Sequence, residues 1–148
     1  MISTRGRYAL RVMTELAEHA GEGYLSLKEV AGRQDISLKY IERIMPALSR
    51  NKLVEGVQGK GGGYRLTRPP EDYTVWEILS VTEGELAPVA CLESGAKPCG
   101  RREYCRTIDM WGRFYDMTKE FFEGITLAEL AGKEGWKKSQ KKRRELLR

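Results

Sequence analysis

A single histidine, three cysteines and five prolines are all that the 148 residues hold of those types, and the scarcity excludes whole classes of function. With His19 alone, general acid–base or nucleophile–base chemistry has little to build on, so an enzyme is not expected. His19 closes a helical pattern and reads as a solvated last-turn residue, stabilised modestly by the helix dipole when protonated. No apolar run approaches the roughly 20 residues that cross a bilayer, which excludes a membrane-spanning helix. The opening Met1-Ile2-Ser3-Thr4-Arg5 leads straight into an amphipathic pattern and shows no secretory signal, so a cytoplasmic protein is expected. Internal repeats are not evident.

What is present is a segregated charge. Residues 1–70 carry twelve basic against seven acidic side chains (+5), residues 71–132 six against twelve (−6), and residues 133–148 eight against two (+6). A basic front end followed by an acidic middle suits a protein whose front meets a polyanion, above all nucleic acid. The apolar content of 41% suffices for one modest core.

The apolar periodicity predicts a helix over 4–20, with Tyr8, Ala9, Val12, Met13, Leu16, Ala17 and Ala20 on one face and Gly21-Glu22-Gly23 ending it. Ser26 with Glu29 forms a capping box that opens a short helix at about 27–33. Gln34-Asp35-Ile36 is the turn, and Ser37 caps a further helix bearing Leu38, Ile41, Ile44, Met45 and Leu48 on one side. Pro46 removes a backbone bond from it and is expected to bend it. Two short helices joined by a tight turn make a helix-turn-helix.

Strand-like segments at 52–58 and 64–67 then flank Gly59-Lys60-Gly61-Gly62-Gly63, a hairpin with a glycine-rich tip. These glycines lack the spacing of a nucleotide-binding loop. As the wing of a winged helix, the hairpin would present Gln58 and Lys60 to sugar–phosphate or a minor groove. Lys39 and Arg43 lie opposite the apolar stripe of the second short helix, flanked by Tyr40 and Glu42. In a major groove that face offers donors for guanine edges and phosphates, with Glu42 able to accept from cytosine or to hold Arg43. Lys28 and Ser37 complete the expected DNA-binding set.

Thr74 caps another helix over 75–81. Residues 107–123 carry the strongest pattern: Ile108, Trp111, Tyr115, Thr118, Phe122 and Ile125 form one stripe, and Met110, Phe114, Met117 and Phe121 a second beside it. So wide a face suits packing on the chain's own body with one stripe and on a second subunit with the other. A short capped helix over 125–130 returns to the body, and the basic run beyond Gly132 is expected to be a flexible tail adding unspecific attraction to DNA. The fold expected is thus mainly α with a small β-hairpin (α+β): a winged helix-turn-helix domain at 1–82, a cysteine loop at 83–106, a long dimerisation helix and return at 107–132, and a basic tail at 133–148.

An odd number of cysteines in a chain of cytosolic character points to metal ligands or reactive thiols rather than disulfides. Cys91, Cys99 and Cys105 are separated by seven and five residues, and Gly95, Pro98 and Gly100 let the loop fold back so that three thiolates can converge. Thiolate sites suit zinc or an iron–sulfur cluster; the close pairs of structural zinc are missing. Three reduced thiols without metal is the alternative.

The opening STRGRYALRVM, the turn and helix ISLKYIERIMPALSRNKLV, the wing GKGGGYRL and the loop before DMW together resemble the IscR-type regulators, over roughly residues 1–131. The resemblance implies a homodimeric winged-helix transcription factor, a repressor of iron–sulfur assembly or stress operons. It also implies a [2Fe-2S] cluster on Cys91, Cys99 and Cys105. Ile108 stands where that branch places a histidine, and Tyr8 where a nitric-oxide-sensing branch places an acid. Glu93, Glu103, Asp109 or a small exogenous thiol are the substitutes for the fourth ligand. Rival functions are a cluster-free repressor of sulfur or cysteine metabolism controlled by a partner protein at the acidic middle, a nitric-oxide or redox sensor, and an electron carrier, for which a wing has no purpose.

Overall fold

The structure is a computed structural model that describes residues 1–132 and Glu145; the tail expected at 133–148 otherwise lies outside the described residues. Helix α1 (Thr4–Glu18) packs Ala9, Val12, Met13 and Leu16 into the centre of the core. Around it lie α2 (Leu27–Gln34), contributing Val30, and α3 (Leu38–Arg50), contributing Ile41, Ile44, Met45 and Leu48. The expected caps are made: Ser26 Oγ accepts from the Glu29 N–H (3.2 Å), Ser37 Oγ from the Tyr40 N–H (3.1 Å), and Thr74 Oγ1 from the Glu77 N–H (3.1 Å). Each satisfies a donor that a helix start leaves unpaired.

The helices differ from expectation in detail. The first ends two residues early, at Glu18, with His19 as its C-cap. Helix α3 continues past Pro46 to Arg50; Pro46 and Glu42, whose carbonyl loses its bond, are both exposed, so solvent can satisfy that oxygen. Leu38, placed in the apolar stripe by periodicity, is 38% exposed, because the stripe does not reach the helix's first position.

Strands β1 (Val54–Val57) and β2 (Gly63–Leu66) form an antiparallel hairpin that pairs Val54 with Leu66 and Val57 with Gly63. A bridge from Leu25 to Tyr64, with N–H to carbonyl distances of 2.9 Å both ways, ties β2 to the entry of α2. The approach needs Gly63: its φ is +153° and a Cβ there would lie 2.2 Å from the Leu25 carbonyl oxygen.

Tyr73 then locks the base of the hairpin. Fully buried, its hydroxyl donates to the Leu53 carbonyl (2.6 Å) and accepts from the N–H groups of Thr67 (3.0 Å) and Arg68 (3.2 Å). Helix α4 (Val75–Glu83) follows and packs on α1 at Gly6, where a Cβ would meet a Glu83 carboxylate oxygen at 2.1 Å. That carboxylate accepts from the Ser3 N–H and hydroxyl, both at 2.8 Å.

After the cysteine segment, α5 (Ile108–Glu123) crosses α4 and α6 (Leu127–Ala131) returns to the core. The return is fixed by backbone: the Leu127 N–H donates to the Tyr73 carbonyl and the Val75 N–H to the Ile125 carbonyl, each at 2.9 Å. No described helix is long and apolar enough to cross a membrane.

Replacing Tyr73 with phenylalanine strands one buried carbonyl and two amides. We expect Tyr73→Phe to lower unfolding free energy in urea by about 1–3 kcal/mol, and a loss below about 0.5 kcal/mol would contradict this account of the hairpin base.

Candidate nucleic-acid interface and cysteine segment

On the solvent side of α3, Lys39, Glu42 and Arg43 are exposed, as is Ser37. Neither Lys39 nor Arg43 is in an ion pair within the described residues. The Ser37 oxygen caps the helix while its O–H remains able to donate. Lys28 on α2 and Gln58 and Lys60 at the hairpin tip are exposed too. Tyr40, on the flank of the α3 face, is half-buried, its ring edge-on to Tyr8 of α1 at 5.4 Å, so the ring also braces α3 against α1.

The hairpin itself is stiffened from behind. Arg65 pairs with Glu55 across the strands (2.6 Å) and lies over the Tyr24 ring at 4.5 Å, and the bond to Glu55 raises its already high pKa. Arg68 stacks over Tyr73 (4.3 Å) and pairs with Glu77 (2.7 Å). Neither arginine was singled out by sequence, since their partners lie across a hairpin or a turn.

No residue between 83 and 107 is buried. Single helical turns at Ala90–Leu92 and Arg102–Tyr104 interrupt this segment. The three thiols are free; Cys91 is half-buried, Cys99 and Cys105 are exposed. Among the described residues no three Cys, His, Asp or Glu side chains are gathered closely enough to hold a metal ion, so the expected convergence is not seen. Glycine and proline permit the segment to fold back, but nothing buried compels it to. Glu93, Glu103 and Asp109 are likewise exposed, and Ile108 starts α5. In kind the donor set suits an iron–sulfur cluster, soft thiolates on a segment without a fully buried residue.

The Cys105 thiol is drawn toward its thiolate form. A hydrogen bond from the Thr107 hydroxyl (Sγ to Oγ1 3.5 Å) lowers its pKa, helped by the Thr107 and Ile108 N–H groups opening α5 and by Arg101. Glu85 joins the segment to α5, accepting from the Ser94 N–H and from the Tyr115 hydroxyl, both at 3.2 Å. Burial, then Glu85, push the Tyr115 pKa up.

Helix α5 shows both stripes. Trp111, Tyr115 and Phe122 are half-buried, the last beside Val75, Leu79 and Ile125. Met110 (52%), Phe114 (48%), Met117 (67%) and Phe121 (54%) are exposed. Phe114, Met117 and Phe121 line an apolar groove of about 720 Å³ with Ile2, Leu86 and Pro88.

The sequence matches the Rrf2 family, described as an iron-dependent transcriptional regulator, over residues 2–133. The chain belongs to the Rrf2 family. It is 38% identical to the transcriptional regulator CymR of Bacillus subtilis over 130 residues, covering 88% of each protein. To IscR of Sodalis glossinidius it is 34% identical, covering 90% of this chain and 79% of that one. The structure of the B. subtilis protein, described as the global cysteine regulator, superposes with a TM-score of 0.73 at 35% identity over 88% of this chain and 95% of that one. That of T. potens IscR gives 0.70 at 35% identity, over 88% and 85%. This Rrf2-family protein is therefore a winged-helix transcriptional regulator, a protein that acts on DNA. The comparisons bear out the expected fold class and regulator family.

Removing the Thr107 hydroxyl takes away the first cause of the Cys105 shift. Thr107→Val should move the pH midpoint of Cys105 alkylation upward, followed by mass spectrometry on metal-free protein. An unmoved midpoint would show that the hydroxyl does not hold the thiolate.

Proposed function

We propose that this Rrf2-family protein is a homodimeric repressor that works in the cytoplasm and reports iron–sulfur status to the genes of iron–sulfur assembly. Lys39, Glu42 and Arg43 of α3 read the major groove. Lys28 and the Ser37 hydroxyl hold phosphates, and Gln58 and Lys60 reach the backbone from the wing. Tyr40 serves chiefly as a brace. Cys91, Cys99 and Cys105 would hold a [2Fe-2S] cluster, which supplies a centre sensitive to iron and oxidants. The observation that carries this reading is the thiol-bearing segment without a buried residue, running directly into the helix whose outer stripe is bare.

In such a dimer the α5 stripe faces its counterpart, and Glu85 passes a change in the loop to Tyr115 on that helix. The spacing of the two recognition helices then follows the state of the loop, and with it the match to two half-sites. A charge in the stripe should part the subunits. We expect Met117→Asp to weaken the dimer about a hundredfold in sedimentation while circular dichroism stays unchanged; an undisturbed dimer would refute this face.

A cluster-free repressor of cysteine metabolism, controlled by a partner protein at the acidic middle, is the second reading. It is favoured by the thiols being ungathered and by the similarity to CymR. Anaerobic reconstitution with iron and sulfide separates the two. A coloured protein with about two irons per chain, lost in Cys99→Ala, supports the sensor. A colourless protein with all three thiols titratable supports the rival.

A further inference from the structure

Glu15 is a carboxylate on α1 with only 4% of its surface exposed, in a helix otherwise buried by apolar side chains. Operator contact as described makes no use of it. It accepts from Gln34 Nε2 (2.6 Å) and Arg33 Nη1 (3.3 Å), with His19 Nδ1 at 3.8 Å. A buried carboxylate is tolerated only while such partners stay in place, so Arg33 and Gln34 are held to α1.

Arg11, one turn earlier on α1, closes the cluster from the other side. Its Nε donates to Gln34 Oε1 (3.1 Å) and its Nη2 to the Gln34 carbonyl oxygen, placing a cation at the negative end of α2. Arg33 also meets His19 Nε2. Arg33 and Gln34 form the last turn of α2. The next residue, Asp35, takes the left-handed conformation (φ 52°, ψ 48°), and Ser37 starts α3 two residues later. The Arg11 guanidinium lies 5.2 Å from the centre of the Tyr8 ring, which meets Tyr40 of α3 edge-on. Helix α1 thus grips the helix-turn-helix just before the turn and again just after it.

We propose that Glu15 is a positioning residue for operator reading. Apolar side chains alone permit small rotations, whereas charge-assisted hydrogen bonds are directional. By fixing the end of α2, Glu15 sets the direction in which α3 leaves the turn, and hence where Lys39 and Arg43 fall against the bases. This rests on DNA reading by α3 and not on the cluster.

The test compares two duplexes bound by the full chain: one selected by the unmodified protein from a random-sequence pool, and a scrambled duplex of the same composition. In Glu15→Leu, which removes the acceptor that Gln34 Nε2 and Arg33 Nη1 share, the ratio of the two affinities should fall about tenfold. Binding to the scrambled duplex and its salt dependence should not change, because the phosphate contacts remain. Glu15→Gln keeps an acceptor and should stay within about threefold of the unmodified ratio. An equal fall on both duplexes means mere loss of folded protein and overturns the proposal, as does an unchanged ratio in folded Glu15→Leu. Should Glu15→Leu not fold, Arg11→Met, at an exposed position, replaces it: a ratio lowered about threefold supports the proposal and an unchanged one overturns it. An unmodified chain that selects no duplex removes the DNA reading itself.

Discussion

One buried phenol joins the parts of this molecule that act together. The Tyr73 hydroxyl gathers the two strand ends of the wing, while its backbone carbonyl receives the N–H that opens the returning helix α6. The wing and the end of α5 are therefore hung on the same residue. A hydroxyl with no access to water cannot exchange these partners cheaply, so the hairpin base and the return segment move as one body. The recognition helix belongs to that body through the shared core of α1, α3 and α4.

What lies outside the rigid part is as telling. The segment from 83 to 107 holds no fully buried residue, and the outer stripe of α5 is left bare. Core-quality side chains such as Phe114 and Phe121 stand on the surface, where the second copy of the proposed dimer would cover them, and Cys105 precedes that stripe by a few residues. Charge follows the same division, with the basic excess in residues 1–70, which hold the helix-turn-helix and the wing, and the acidic excess in residues 71–132.

Much of the fold is legible in sequence because it is local. Ser26, Ser37 and Thr74 sit three residues before the amide they cap, and a wheel separates the two stripes of α5 correctly. The wing follows from glycines between two short apolar runs. Leu25 pairing with Tyr64, or Glu15 meeting Arg33 and Gln34, joins positions eighteen or more residues apart in most of its bonds, and no periodicity encodes that. His19 illustrates the cost. From its position it reads as solvated, yet it is part-buried among Glu15 and Arg33. The cysteine loop is the opposite case. Its residue types are plain in the sequence, but their convergence depends on a ligand whose bonds, not the packing, would bring them together.

Among the described residues, helix α5 is tied to the core by backbone hydrogen bonds at one end only. Near Ile125 two backbone hydrogen bonds fasten the segment behind it to Tyr73 and Val75, whereas its first residue, Ile108, adjoins a stretch without a buried side chain. A sixteen-residue helix is roughly 24 Å long at about 1.5 Å per residue. A tilt of about 5° at the fastened end thus carries the other tip through about 2 Å, a travel comparable to the shifts by which helices at subunit interfaces switch. Small angular play at Ile125 is amplified into displacement beside the thiols, and a pull on the thiols is geared down into a fine turn beside the wing.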